Sequence, residues 1–160
     1  MSRRASRHLL RVVALMVLTA CCSVGARSFA QDEASRAPPA RPFVEHRVTL
    51  QLSDAAADKQ AFVLSMANKF LTIYGPDAVD IQVVAMGPGI SLVQRDSPYR
   101  ARVDSLIAQG VTFDVCDYTL ETIERKTGHR PAINPKAVDI PAGGPFLLSL
   151  AEKQYTIIRP

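Results

Sequence analysis

Short apolar strands alternate with helix patterns from His46 to the end of the chain, and this alternation limits the fold more than any other feature of the sequence. The order of the patterns is β-α-β-α-β-α-β-α-β. Strands that are separated by helices pair in parallel, because each connection has to cross the sheet. The sequence therefore predicts an α/β fold, in which a parallel sheet carries helices on both faces.

The individual elements follow from period and from turn residues. Strands are predicted over 46–52, 79–86, 111–115, 138–140 and 155–158. Helices are predicted over 55–74, 97–109, 120–126 and 145–151. Ser53 or Asp54 is expected to cap the first helix. Its buried stripe is predicted to consist of five apolar residues: Phe62, Val63, Met66, Phe70 and Ile73.

The third strand ends at a cysteine. Val111, Phe113 and Val115 alternate with polar neighbours, which is the period of a half-buried strand, and Cys116 follows directly. Ligands and reactive groups gather at the carboxyl ends of strands in open α/β sheets. The thiol of Cys116, followed by the polar run Asp117-Tyr118-Thr119, is therefore the strongest candidate for chemistry in this sequence.

Two other turns are expected at the same sheet edge. Ser53 and Asp54 follow the first strand, and Gly87-Pro88-Gly89 follows the second. Right-handed crossovers bring the carboxyl ends of these strands together, so both turns should lie beside Cys116. Two glycines around a proline allow a sharp turn and a close approach to the backbone.

Several other chemistries have no support. Residues 46–160 hold one cysteine and two histidines, His46 and His129, without the paired spacing of a zinc site. His129 is the one candidate base for a Cys-His hydrolase, and a solvated loop histidine is the simpler interpretation. Neither a phosphate-binding P-loop nor a dinucleotide fingerprint is present, so no cofactor is predicted.

The basic charge of the chain belongs to its N-terminus. Residues 1–30 hold five arginines and no acid, which leaves 14 basic and 15 acidic residues over 31–160. This nearly neutral body predicts no nucleic-acid partner. The arginines precede an apolar run of about 15 residues, which is short of the ~20 of a membrane span and is typical of a secretory signal.

Two processing sites compete within this export signal. Ser28-Phe29-Ala30 fits a signal peptidase site and gives a mature chain from Gln31, whereas Leu18-Thr19-Ala20-Cys21 resembles a lipoprotein box that would anchor Cys21 in a membrane. Both alternatives predict export to the periplasm. Residues 31–45 have no period and three prolines, and are interpreted as a disordered linker before a domain over 46–160.

Three segments together resemble one protein family. They are Val84-Ala85-Met86-Gly87-Pro88-Gly89, the run from Cys116 to Thr119-Leu120, and the ending from Ile140-Pro141-Ala142-Gly143 to Pro160. In this order they resemble the DsrE/DsrF-like family over about residues 46–160. The resemblance implies a three-layer α/β/α fold with a mainly parallel five-stranded sheet, frequent homo-oligomers, and a cysteine, here Cys116, that carries sulfur as a persulfide.

The residues leave three functions open. The first is a periplasmic sulfur carrier or sulfurtransferase, in which Cys116 exchanges sulfur with donor and acceptor proteins. The second is a non-catalytic module for ligand binding or oligomeric assembly, in which Cys116 is a buried structural residue. The third is a redox sensor that forms a disulfide between subunits through Cys116.

Overall fold

The computed structural model describes residues 43–160, which form one α/β domain. The strands are β1 (His46–Leu52), β2 (Val79–Ala85), β3 (Thr112–Cys116), β4 (Val138–Ile140) and β5 (Thr156–Ile158). The helices are α1 (Ala57–Tyr74), a 3-10 helix (Gly87–Val93), α2 (Arg100–Ala108), α3 (Asp117–Thr127) and α4 (Gly143–Glu152).

The five strands form one sheet in the order β4-β3-β2-β1-β5, and every pair is parallel. The first three crossovers all step in one direction, so right-handed connections place α1, α2 and α3 on one face. The last crossover steps back across the sheet to pair β5 with β1, which places α4 on the other face. The prediction of a three-layer α/β/α fold with a parallel five-stranded sheet is confirmed.

The two faces of the sheet have different chemistry. The first face packs apolar side chains such as Leu50, Ile81 and Phe113 against the helices of the main core. The second face has a smaller apolar cluster, formed by Val84, Ile140, Leu147 and Leu150. The second face also buries polar side chains, namely those of Thr49, Gln82 and Asp114. Only the first face therefore packs into an ordinary apolar core.

The buried stripe predicted for α1 is wrong at both ends. Phe62 is 52% exposed and Ile73 is 58% exposed. The buried residues are Gln60, Val63, Leu64, Ala67 and Leu71. Both sets have helical spacing, and the smaller side chains of the second set let the helix approach the sheet closely.

All four predicted helix starts differ from the structure, and α3, predicted from Leu120, begins at Asp117, directly after Cys116. Neither Ser53 nor Asp54 caps α1, which begins at Ala57 because Asp54 Oδ1 accepts the Ala56 N–H at 2.8 Å in a turn before the helix. The second helix begins at Arg100 because Ser97 and Pro98 form a turn of their own. The last helix begins at Gly143, two residues before Pro145.

The export signal, with its two processing alternatives, lies outside the described residues and stays a prediction. The same holds for the linker over 31–45 except at its end. There the Glu45 N–H donates to the Ala78 carbonyl oxygen at 2.9 Å, so the ordered domain begins slightly before β1. Over residues 43–160, no helix is both long enough and apolar enough to cross a membrane.

Candidate functional site at the carboxyl edge of the sheet

The segments that follow β1, β2 and β3 (two turns and the start of α3) meet at one edge of the sheet. A Cβ atom added to Gly89 would lie 2.3 Å from the Leu52 carbonyl oxygen, so the first two turns are in backbone contact. The Gly87 N–H donates to Thr119 Oγ1 at 3.0 Å, which joins the second turn to α3. The sequence-derived residues of the two turns and of the start of α3 are thus neighbours in the structure.

Gly87 and Gly89 are required for different reasons. Gly87 has φ +52°, a left-handed conformation that side chains disfavour. Gly89 has no room for a side chain against the backbone of Leu52. Pro88 lies between them at the exposed start of the 3-10 helix. These two constraints fix the path of the backbone beside the start of α3.

Thr119 tests the link between these turns. Thr119→Val keeps the side-chain shape but removes the acceptor for the half-buried Gly87 N–H, and we expect a loss of about 1 kcal/mol in the free energy of unfolding. Urea unfolding measures it. The matched control is Thr72→Val, because the exposed Thr72 hydroxyl bonds only within its own helix. Equal stability of the Thr119 variant and the wild type would contradict the assigned role.

Cys116 lies where two helices begin. It is the last residue of β3 and directly precedes α3, and its side chain is buried, with 3% of the residue exposed. The backbone N–H of Gly143, the first residue of α4, donates to Cys116 Sγ at 3.3 Å. The first N–H groups of a helix have no partner within the helix and favour negative charge beside them. The sulfur therefore lies at the start of both helices, with one backbone N–H of α4 donating to it.

The charge of Asp117 is compensated by Arg130. From the sequence, a carboxylate next to Cys116 would disfavour a thiolate. In the structure the Arg130 guanidinium forms an ion pair with Asp117 and lies 3.5 Å from Glu124. The hydrogen bond to Asp117 raises the pKa of Arg130. The negative charge of Asp117 is therefore paired outside the sulfur site.

The remaining sequence-derived residues are at the surface. The Tyr118 side chain is exposed, with the Arg125 guanidinium 5.8 Å from the centre of its ring. The Tyr118 backbone N–H donates to Pro141 O at 3.1 Å and holds α3 against the chain that leads into α4. Ser53 and Asp54 are exposed beside the glycine turn. These residues form the exposed rim at the carboxyl edge of the sheet, and Cys116 is buried beneath this rim.

Sequence reasoning missed three residues at this edge: Arg130, described above, Gly143 and Asp114. An added Cβ on Gly143 would lie 2.8 Å from Met86 Cε, so this glycine lets the start of α4 approach the sheet. Asp114 was expected on the solvent face of a half-buried strand, but it is 1% exposed. The expectation of a half-buried β3 is wrong because the second sheet face is covered around Asp114.

Burial changes the chemistry of Asp114. Desolvation, with a smaller contribution from the negative charge of Asp80, raises the pKa of Asp114 from 3.8 to about 8. Asp114 Oδ2 has no hydrogen-bond partner within residues 43–160. The carboxyl group is therefore protonated at neutral pH. A combination of two signals could have revealed it: a carboxylate in the middle of a strand that is flanked by strands on both sides.

The fold and the site of residues 43–160 define a class: an α/β/α domain whose one cysteine in this range is buried at the carboxyl edge of the parallel sheet. Within residues 43–160 no group of three or more His, Cys, Asp or Glu side chains is arranged to hold a metal ion. No protein-family model matches the chain, and no curated protein matches it.

The fold has a solved counterpart. The chain is similar to the structure of a protein of unknown function, MTH1491 from Methanobacterium thermoautotrophicum, with a TM-score of 0.65 and 22% sequence identity. The similarity covers 72% of this chain and 100% of the other. At this identity the similarity shows a shared fold and nothing of function.

Proposed function

We propose that the protein is a sulfur carrier, in which Cys116 accepts sulfur as a persulfide and passes it to another thiol. The observation that supports this function best is the hydrogen bond from the Gly143 N–H to Cys116 Sγ. A sulfur atom that alternates between thiolate and persulfide needs a donor that stabilises its negative form. The start of α4 supplies that donor at the sheet edge where α/β proteins hold their ligands.

Loading and transfer are the same exchange in opposite directions. In loading, the Cys116 thiolate attacks the outer sulfur of a donor persulfide, a new S–S bond forms, and the donor leaves as a thiolate. In transfer, an acceptor thiolate attacks the outer sulfur on Cys116, which leaves as a thiolate. Because Cys116 is buried, with the Gly143 N–H on its sulfur, loading requires a local opening of the structure around Cys116.

The resemblance to the DsrE/DsrF-like family supports the same proposal. The three segments that carry the resemblance include the glycine turn, Cys116 and Gly143, and these lie together at the carboxyl edge. The resemblance also implies a homo-oligomer, and we include this assembly in the proposal. We also propose export to the periplasm, by cleavage after Ala30 or by lipidation at Cys21. This part of the proposal is supported by the N-terminal sequence alone.

Sulfur loading is tested by mass. The full chain with Cys21→Ser and Cys22→Ser has Cys116 as its sole thiol. After incubation with a persulfide donor and desalting, its intact mass should increase by one sulfur atom, and the gain should disappear when a low-molecular-weight thiol is added as acceptor. The same chain with Cys116→Ser should gain nothing. Sulfur that stays on the Cys116→Ser chain would contradict the assignment.

The burial of Cys116 favours a second candidate function. With 3% of the residue exposed, Cys116 is packed as many structural cysteines are. The protein would then be a binding or assembly module that uses the exposed rim of the edge, including Ser53, Asp54 and Tyr118. This alternative expects Cys116→Ala to keep every partner or ligand of the wild type, and the loading experiment to give no mass gain.

A further inference from the structure

One flank of α1 carries an apolar stripe that stays largely exposed. The stripe has helical spacing, lies within about 80° of the helix circumference, and consists of Phe62, Met66, Phe70 and Ile73. Phe62 is 52% exposed and Ile73 is 58% exposed, whereas Met66 and Phe70 are half-buried against the main core. Scattered exposed apolar residues are ordinary, but a contiguous apolar surface of this kind marks a site of contact with another molecule.

The stripe faces away from the neighbouring helix, toward the β5 edge of the sheet. Arg102 of α2 donates to Ser65 Oγ at 3.5 Å, so α2 packs on the other flank of α1. Ile158 of β5 is in register with Leu50 on the first face and packs against the main core. Within residues 43–160 no helix covers this part of the first face, because α1 packs on β1 and β2 and α4 packs on the second face. The stripe and Ile158 therefore border an open apolar groove, which we call the α1 groove.

The two ends of the α1 groove carry opposite charges. At the carboxyl end of the sheet, Lys59 lies on the same flank of α1 as the stripe, and Arg159 directly follows β5. At the amino end, Asp77 follows α1, and the Glu45 N–H donates to the carbonyl oxygen of the next residue, Ala78. None of these four charged side chains forms an ion pair within residues 43–160. A groove that is basic at one end and acidic at the other is complementary to a copy of itself that is turned end to end.

We propose that the α1 groove binds the same groove of a second copy of the chain, with the two α1 helices antiparallel around a twofold axis. Twofold symmetry brings the basic end of each groove to the acidic end of the other, so every favourable charge pair forms twice. The inference deepens the homo-oligomer of the proposed function, to which it gives a surface and a symmetry. It does not depend on sulfur transfer, because the groove lies on the first face, whereas Cys116 is in register with Ile140 on the second.

The apolar area of the groove predicts a weak dimer. A whole aromatic side chain buries about 150–250 Å², so the exposed parts of Phe62, Ile73 and Tyr74, with smaller amounts from the half-buried residues, come to on the order of 400 Å² for each copy. Two copies would bury about 800 Å² of apolar surface, and the charged ends extend the contact toward the lower limit of specific interfaces, about 1,200 Å². Contacts of this size are weak, and we expect a dissociation constant on the order of micromolar.

The test is sedimentation velocity of the full chain with Cys21→Ser and Cys22→Ser, at protein concentrations from about 1 to 200 µM. We expect an equilibrium between monomer and dimer. Phe62→Lys places a charge from each copy in the apolar contact and should raise the dissociation constant about tenfold or more, while the exposed position leaves the fold intact. Leu148→Lys is the matched control, because Leu148 is 63% exposed on α4, outside the groove, and this variant should form the dimer as the parent does.

A charge swap tests the twofold arrangement. Lys59→Glu places an acid at the acidic end of the other copy, and Asp77→Lys places a base at the basic end, so each should weaken the dimer in low-salt buffer, where surface charges are least screened. The double variant Lys59→Glu/Asp77→Lys restores opposite charges between the copies and should dimerise as the parent does. The two residues lie at opposite ends of α1, about 25 Å apart, so they cannot pair within one chain.

The outcomes separate this inference from the proposed function. A parent that stays monomeric would overturn the interface and assign the groove to residues 1–42 or to another protein, and a dimer that persists in Phe62→Lys would overturn it in favour of another surface. A trimer, or a double variant as weak as the single ones, would overturn the twofold arrangement. If the parent dimerises as expected but gains no sulfur, the interface stands and the sulfur carrier fails. If a monomeric parent gains sulfur, the carrier stands and the interface fails.

Discussion

Replacing Asp114 with asparagine should remove much of the pH dependence of stability between pH 4 and pH 8. The pKa of this carboxyl rises from 3.8 to about 8 on folding, so the folded protein binds the proton more tightly than the unfolded chain. Its contribution to stability is complete below pH 4 and is lost as the pH rises through about 8. At about 1.4 kcal/mol for each unit, the upper limit of the loss is on the order of 5 kcal/mol.

Urea unfolding of the wild type and Asp114→Asn at pH 4, 6 and 8 measures this effect. We expect the stability of the wild type relative to the variant to fall steadily over this range, because only the wild type must release a proton or bury a charge. Asp139→Asn should behave as the wild type does, since its side chain is exposed. A constant difference between the wild type and Asp114→Asn would mean that Asp114 is not a buried protonated acid.

The second large effect is expected at Gly89. In Gly89→Ala the new Cβ would lie 2.3 Å from the carbonyl oxygen and 2.7 Å from the carbonyl carbon of Leu52. Both are backbone atoms of a buried central strand, so the contact cannot be relieved by a change of rotamer. We expect a loss of about 2–3 kcal/mol in the free energy of unfolding, which is typical of an overpacked position.

Gly144→Ala is the matched control for this prediction. Nothing lies within 4 Å of the Cβ that would be added to Gly144, and the residue is exposed in the first turn of α4. Alanine favours a helix more than glycine does, so we expect unchanged or slightly higher stability. Denaturant unfolding compares the two variants, and equal stabilities of Gly89→Ala and Gly144→Ala would contradict the backbone packing described for the first two turns.

The fold could be predicted because several levels of the sequence agree. The strand and helix patterns alternate without exception. The nearly continuous apolar residues of β2 (Ile81, Val83, Val84 and Ala85) favour a strand covered on both faces, and all seven residues of β2 are buried. The handedness of crossovers then places the ends of β1, β2 and β3 at one edge. These rules depend on residue type and order and need no side-chain contacts.

The packing of α1 could not be predicted with the same rules. Two stripes on this helix have helical spacing, one with Phe62 and Ile73 and one with Val63, Leu64 and Leu71. Residue size favoured the first stripe, whereas the structure buries the second. Gln60 is buried with the second stripe because its amide donates to Ala55 O and to Ser91 Oγ. Such a partner 31 residues away has no signature in the local pattern.

The candidate site was only partly visible in the sequence. Cys116 and the glycine turn could be placed because both follow strands. Gly143 and Arg130 could not, since their contacts with Cys116 and Asp117 arise from the position of α4 and from a loop after α3. Asp114 was misplaced because alternation alone gives the face of a residue, and whether that face is covered depends on the last crossover.

The central claim is that Cys116 is a reacting thiol in the folded protein. The most direct measurement is the rate of alkylation of Cys116 in the native chain with Cys21→Ser and Cys22→Ser, compared with the rate in denaturant at the same pH. We predict that Cys116 is modified in the native protein without unfolding. When urea is added below the unfolding transition, the rate of modification should not change in step with the free energy of unfolding. If Cys116 reacts only as the protein unfolds, it is a structural core residue, and the sulfur-carrier function is wrong.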